Sequence, residues 1–287
     1  MIERIAILGT GLLGTSVGLA LRASGYRGAI TGWNRSPEQA QLALRMGAID
    51  AVESDAIAAA KASQVVLLAV PIYPTLDLMV QLADALDTKH LVTDVGSTKG
   101  QITAAAGSLF NTVDRAGFLP GHPMAGKERG GASLGDANLF RGAVWLFTDD
   151  PAWQRSPQSA ELAKNWRELV VEMSARIVDL DAARHDELVA WVSHLPQFTA
   201  TALSAILEEE LGNAPELKNV GGRALREMTR LGASPFSMWR DIAHTNADQI
   251  EAALLALEQR IAHIRENLRN PELRDEFEKA NHFRREN

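Results

Sequence analysis

The sequence predicts an α/β amino-terminal domain over residues 1–181, built on a parallel sheet, and an all-α domain over residues 182–287. Three observations predict it. Short β-type runs alternate with helical ones through the first half, the pattern of a parallel sheet covered on both faces. A strand near the start of the chain runs into a glycine-rich turn and a helix. After about Asp181 the β-branched runs give way to long stretches rich in Ala, Leu and Glu.

Composition bounds what the chain can be. Its 287 residues suffice for two domains, each with a core, and 46% hydrophobic with 23% charged residues fits a globular protein. A net charge of -7 argues against a general nucleic-acid-binding face, which needs a basic surface. Any anionic ligand must therefore meet local cations. The absence of cysteine removes disulfides, thiolate nucleophiles and Cys-ligated metals. Residues 1–9 are too short and too charged for a signal peptide, and no apolar stretch is long enough to span a bilayer, so a cytoplasmic enzyme is expected.

Strands are expected at Arg4 to Leu8, Ala29 to Trp33, Val65 to Ala69 and Leu91 to Asp94, with further ones at Phe118 to Pro120, Ala143 to Thr148 and Arg176 to Asp179. Helices are expected from Gly11 to Ser24, Pro37 to Met46, Leu76 to Leu86 and Thr98 to Ala106. In the second half they run from about Ala182 to His194, from Gln197 to Leu211 and from about Ser237 to Asn267. The last carries a broad apolar stripe at helical spacing, from Ile242 to Ile264, that needs a partner surface, either within the chain or on a second subunit. The polar segment from Asn270 to Asn287 reads as a solvated helix or a fraying end.

The amino-terminal segment Ile5-Ala6-Ile7-Leu8-Gly9-Thr10-Gly11-Leu12-Leu13-Gly14 fits the fingerprint of a Rossmann-type dinucleotide-binding domain. Gly9 permits the tight turn, Gly11 lets a pyrophosphate approach the backbone, and Gly14 lets the helix pack on the strand. The helix start at Leu12 and Leu13 offers N–H groups and a positive dipole end to phosphates. Val70, directly after the strand Val65 to Ala69, joins the cofactor candidates. Cofactor choice falls at the end of the second strand. A carboxylate there would hold both ribose hydroxyls of NAD; this chain has Asn34, then Arg35 and Ser36, which suit a phosphate. NADP is the preferred reading, and NAD stays open.

A dinucleotide fold does not name a substrate. The informative groups follow the strand Leu91 to Asp94: first Thr93-Asp94-Val95-Gly96-Ser97-Thr98-Lys99, then Gly121-His122-Pro123-Met124-Ala125-Gly126. The second reads as a glycine- and proline-rich loop that exposes His122, and an imidazole near its ordinary pKa can take a proton from a hydroxyl. Further on, Ser193-His194-Leu195-Pro196-Gln197 reads as a helix break, since proline starts a helix more easily than it continues one. Gly221 to Arg230 carries three arginines suited to carboxylates, ahead of Ser237-Met238-Trp239-Arg240. Surface ion pairing for Arg226 and Arg240, and core packing for Trp239, are the plainer alternatives.

Together the fingerprint, Asp94 to Lys99, Gly121 to Gly126, Ser193 to Pro196 and Thr229-Arg230 to Trp239 resemble the prephenate/arogenate dehydrogenases, in that family's order and over nearly the whole chain. The resemblance implies oxidative decarboxylation of arogenate or prephenate, to tyrosine or 4-hydroxyphenylpyruvate, with hydride transfer to NAD(P)+ and no metal. It implies that His122 accepts the ring hydroxyl's proton and that Ser97 orients that histidine and the nicotinamide. Arg230 would bind the ring carboxylate, with Ser193, His194, Gln197 and Trp239 around the substrate. The helical domain would form a homodimer. Two positions depart from the pattern. Gln197 stands where several prephenate-specific members carry a second histidine, and Glu227 where an aspartate is common. The missing cation makes arogenate, whose side chain bears an ammonium, acceptable.

Two rivals remain on the sequence. β-Hydroxyacid dehydrogenases join similar domains but use a catalytic lysine beside an asparagine, for which Lys164-Asn165 and Lys218-Asn219 are the adjacent candidates, without the expected glycine-rich setting. A dinucleotide-sensing protein without chemistry is the other.

Overall fold

The computed structural model describes residues 1–286. Its first half lays six parallel strands in the order β3-β2-β1-β4-β5-β6. These are β1 (Arg4–Leu8), β2 (Ala29–Trp33), β3 (Ala51–Val52), β4 (Val65–Leu68), β5 (Leu91–Asp94) and β6 (Gly117–Leu119). The helices between them are α1 (Leu12–Ala23), α2 (Pro37–Arg45), α3 (Ala56–Lys61), α4 (Ile72–Ala85) and α5 (Gly100–Leu109). Strand residues alternate between two cores: Ile5, Ile7, Val65 and Leu67 face one, while Ala6, Leu8, Val66 and Leu68 face the other. Both faces are covered, so β4 is an unbroken apolar run rather than an alternating one.

A second sheet of three strands adjoins the first. It runs β7 (Gly121–Pro123), β8 (Val144–Phe147) and β9 (Arg176–Asp179), with β7 antiparallel and β9 parallel to β8. Helix α6 (Pro157–Glu172) lies between β8 and β9, started by the Ser156 side chain, which accepts from Ser159 N–H, and by proline in the first turn. The expectation of one sheet plus a loop at His122 is thus corrected. His122 sits on β7, opposite Leu146, and is 7% exposed.

The carboxyl-terminal half is helical: α7 (Ala182–Val189), α8 (Leu195–Leu211), α9 (Leu217–Val220), α10 (Arg223–Thr229), α11 (Phe236–Thr245), α12 (Ala247–Glu266) and α13 (Glu272–Glu286). The expected break at Pro196 does not occur. Residues Ala190–His194 form a π-turn that joins α7 to α8, and Pro196 falls in the first turn of α8. A widened turn absorbs the hydrogen bond that proline cannot make. Conversely, the single helix expected from Ser237 to Asn267 divides at Asn246, whose φ of -132° leaves the helical region. Its amide donates to the Asp186 carbonyl (2.8 Å), fixing the bend against α7. The polar segment from Asn270 forms α13, with no buried residue; Asn287 lies outside the described residues. Among the described residues no helix is long and apolar enough to cross a membrane.

Candidate active site

The glycine turn between β1 and α1 has the shape its sequence requires. Gly9 adopts φ +108°, and a Cβ there would lie 2.4 Å from the Ala69 carbonyl oxygen and 2.7 Å from Val70 Cγ1, so strand, turn and Val70 are in contact. A Cβ on Gly14 would lie 2.0 Å from the Gly9 oxygen, which is how closely α1 meets the turn. At Gly11 a Cβ would meet nothing within 4 Å. That open face adjoins the start of α1, which has no side-chain cap over the first N–H groups at Leu12 and Leu13. These features fit a pyrophosphate.

At the end of β2, Asn34 folds back to accept from the Ser36 N–H (2.9 Å), and the Ser36 hydroxyl donates to Glu38 (2.6 Å). Arg35 is exposed, with no ion-pair partner among the described residues. Glu38, on which no sequence motif draws attention, places a carboxylate beside the proposed phosphate site.

Beyond the carboxyl end of β5 the chain builds a buried polar scaffold. Lys99 Nζ pairs with Asp94 and donates to the Gly121 carbonyl (2.7 Å), while Asp94 also accepts from the N–H groups of Gly96 (2.7 Å) and Gly121 (3.0 Å). Both ionic side chains are fully buried, so the pair is held by these added hydrogen bonds rather than by charge alone. Burial lowers the Lys99 pKa, with Asp94 opposing. The result clamps β7, and with it His122, onto the tip of β5.

His122 shares a cavity of about 370 Å³ with Ser97, Glu128, Ser193, His194, Gln197, Arg230 and Trp239. Most of the site residues expected from sequence therefore converge. Ser97, however, makes no hydrogen bond to His122 among the described residues. The His122 Nδ1 partner is His185 Nε2, at 2.8 Å, and His185 Nδ1 lies 2.8 Å from Asp186. Neither partner belongs to a motif visible in the sequence. Burial drives the His122 pKa well below the ordinary histidine value, reinforced by His185, Lys99 and His194. Burial also lowers His185 and takes His194 to about 4. For Asp186 burial acts upward, but hydrogen bonds from His185 and from the Lys99 and Gly100 N–H groups outweigh it and hold the carboxyl below its usual range. The site imidazoles are neutral near pH 7 and the carboxylate is ionised.

The remaining candidates divide. Arg230 is 62% exposed in its side chain and pairs with Glu128. Of its neighbours, Arg223 pairs with Glu227 and Arg226 donates to the Gly221 carbonyl, while Arg240 pairs with Asp241, so these do not line the cavity. Gln197 lines the cavity but is 4% exposed, and its amide is engaged by the protein. Its nitrogen donates to the Leu231 carbonyl (2.8 Å) and Thr201 (3.2 Å), and its oxygen accepts from Ser234 (3.2 Å). These bonds hold the turn that follows Arg230 and fix the amide at the cavity wall. Trp239 stands edge-on to both His194 and Phe198, at 5.7 Å each. Lys164 is exposed on α6 and outside this cavity, and the Lys218 side chain lies outside the described residues.

A glycine turn fitted for a pyrophosphate, and a cavity where a buried imidazole of the sheet half meets a guanidinium of the helical half, define a dinucleotide-binding protein with a helical second domain. Residues 17–178 match the family model described as prephenate dehydrogenase, nucleotide-binding domain, and residues 181–282 that described as prephenate dehydrogenase, dimerization domain. The chain belongs to the prephenate dehydrogenase family. It is 32% identical over 248 residues to a prephenate dehydrogenase of Lactococcus lactis subsp. cremoris, covering 86% of this chain and 66% of that protein's length. Among solved structures it is similar to prephenate dehydrogenase from A. aeolicus in complex with hydroxyphenyl propionate and NAD+, at TM-score 0.87 and 26% identity, over 100% of this chain and 98% of that one. It is also similar to Synechocystis arogenate dehydrogenase, at TM-score 0.76 and 25% identity, over 99% of both chains.

Proposed function

We propose that this chain oxidises and decarboxylates a cyclohexadienol, arogenate or prephenate, to an aromatic product. The observation that carries the reading is a single cavity lined by a buried neutral imidazole, His122, and a guanidinium, Arg230, beyond the carboxyl end of β5 in the sheet that carries the glycine turn. Gly9, Gly11, Gly14 and the N–H groups at Leu12 and Leu13 would hold the dinucleotide's pyrophosphate, with Val70 against the turn. When bound, the nicotinamide supplies the acceptor for the hydride. His122 takes the proton from the ring hydroxyl, which is general base catalysis worth roughly 10²–10⁴-fold. Arg230 grips a substrate carboxylate and fixes the ring, a positioning effect. The ring carboxylate leaves as carbon dioxide, and its electron pair enters the ring, which becomes aromatic. Burial suits His122 to this task, because an imidazole with a depressed pKa is present as the base even in mild acid.

Arogenate is accepted in this reading, because Gln197 is neutral and internally bonded where a cation would favour a second anionic group. NADP is preferred on the strength of the exposed Arg35 beside Asn34 and Ser36, with NAD as the alternative. The working unit is a homodimer through the helical domain. That inference is supported by the family description and by large apolar side chains left exposed there, among them Phe236 (76%) and Val220 (75%). A steady-state matrix of arogenate and prephenate against NAD and NADP tests the whole reading; absence of turnover in all four combinations, with dinucleotide bound, would leave only a binding protein.

A further inference from the structure

We propose that His185 and Asp186 form a buried proton relay behind His122, so that the proton taken from the substrate hydroxyl is shared with His185 rather than left on His122. The proposal rests on the functional reading above and deepens it. Three side chains lie in line: His122 Nδ1 is 2.8 Å from His185 Nε2, and His185 Nδ1 is 2.8 Å from Asp186 Oδ1. The direction of every hydrogen in this line follows from its far end.

Asp186 is fixed as an acceptor by donors that never titrate. The backbone N–H of Lys99 donates to Oδ1 (2.7 Å) and that of Gly100 to Oδ2 (2.8 Å), so the carboxylate caps the first turn of α5 from α7. His185 must then donate from Nδ1, and as a neutral ring it presents a bare Nε2. That nitrogen can only accept, so His122 must donate from Nδ1. The lone pair of His122 is left on Nε2, which has no protein partner among the described residues and belongs to a residue lining the cavity. The relay thus selects the one tautomer able to serve as base. Asp94, Lys99 and His194 are the other titratable groups around the pair, and Asp94 and Lys99 are paired with each other.

Proton movement balances without any further reactant. The substrate O–H breaks and an N–H forms at His122 Nε2; the Nδ1–H of His122 breaks and an N–H forms at His185 Nε2. Lys99 opposes a cation on either ring, but the imidazolium on His185 stands next to the Asp186 carboxylate, whereas one left on His122 would be buried with no carboxylate acting on it. Because His185 is wholly buried, the proton returns by the same path to the ring oxygen, which decarboxylation leaves with an electron pair, so the product departs as the neutral phenol. His185 touches no reacting atom and acts through His122.

The test uses the full chain labelled with ¹⁵N-histidine, with and without dinucleotide. The expected spectrum places a hydrogen on Nδ1 of His122 and none on Nε2; the reverse assignment overturns the proposal. His185→Gln leaves an acceptor for that hydrogen but cannot take up a proton, and His185→Phe leaves neither. The expected order of kcat is wild type, then His185→Gln at least tenfold lower, then His185→Phe lower still, with KM and dinucleotide affinity held within about twofold. A kcat for His185→Gln equal to wild type would reduce His185 to a prop and overturn the relay. If either variant fails to fold, the tautomer measured on wild type still decides. Wild-type protein with the expected tautomer but no turnover of either cyclohexadienol would sink the functional reading instead, so the two failures are distinct.

Discussion

The Glu128 carboxylate is seated on the Arg230 guanidinium at the edge of the cavity that holds His122. A substrate carboxylate bound by Arg230 therefore competes with an internal one. Both side chains are substantially exposed, which puts the pair in the range of about 0–1 kcal/mol, while charge-assisted bonds to a bound carboxylate exceed that. Glu128→Gln is expected to lower KM by up to about fivefold, and Arg230→Ala to raise it by one to two orders of magnitude, roughly the 1.5–3 kcal/mol of a hydrogen bond to a charged group. An unchanged KM in the arginine variant would remove it from the carboxylate role.

His122→Asn separates chemistry from binding. Its imidazole stands apart from the glycine turn, on β7, so dinucleotide affinity measured by fluorescence titration should stay within about twofold. kcat should fall by roughly 10²–10⁴-fold, as expected when a group acts mainly in the transition state. A fall in dinucleotide affinity that tracked the loss of rate would argue that the substitution had instead disturbed the β5 to β7 clamp.

Much of this site is legible in the residues, and the failures have a common cause. The strand, glycine turn and helix at Arg4 to Ala23 are local, and each glycine sits where its missing side chain is needed. His122 looks like an exposed loop residue in the sequence because its neighbours are glycine and proline, whereas its burial comes from pairing with β8, whose Leu146 lies far along the chain. His185 gives no signal at all: it is one histidine in an ordinary helix until the fold brings it against a partner 63 residues away. Nor does the sequence show that the Gln197 amide is held by the Leu231 carbonyl, 34 residues off. Helix α6 is absent from the expected helices, although the serine cap at Ser156 and the proline after it are local signals that mark its start.

Glu38 supplies a sharp test of cofactor choice. Its carboxylate accepts from Ser36, the hydroxyl expected to help hold a 2′-phosphate, and would itself repel that phosphate. Glu38→Gln should tighten NADP several-fold and leave NAD nearly unchanged, while Arg35→Ala should weaken NADP alone. If Arg35→Ala leaves the NADP dissociation constant unchanged, the preference for NADP has lost its structural basis.

Acid should destabilise the protein from about pH 6.5 downward. Burial depresses His122, His185 and His194, the last to about 4, whereas the unfolded chain titrates its histidines near 6.5. Between those values the unfolded state binds protons that the folded state does not, so stability rises with pH across the window and levels off above it. His194 alone accounts for roughly 3 kcal/mol by pH 4, since each tenfold loss of proton affinity on folding corresponds to about 1.4 kcal/mol. Tm is expected to drop by on the order of 10 °C between pH 7.5 and pH 5, with a shallower slope in His194→Gln. Equal Tm values at the two pH values would mean that the site histidines are not held neutral by burial.

Gly11 and Gly14 make opposite predictions from the same motif. An alanine methyl at Gly14 would meet the Gly9 carbonyl at 2.0 Å and Ile7 Cγ2 at 2.9 Å, so helix and strand must part; a Tm loss of several degrees or failure to fold is expected. At Gly11 the same methyl meets nothing within 4 Å, and Tm without dinucleotide should not move. It would project into the space that the pyrophosphate needs, so dinucleotide affinity should fall by at least tenfold, carried by the binding titration and not by the melting curve. A Gly11→Ala variant that bound dinucleotide like wild type would move the phosphate site away from this turn, whatever the fate of Gly14→Ala.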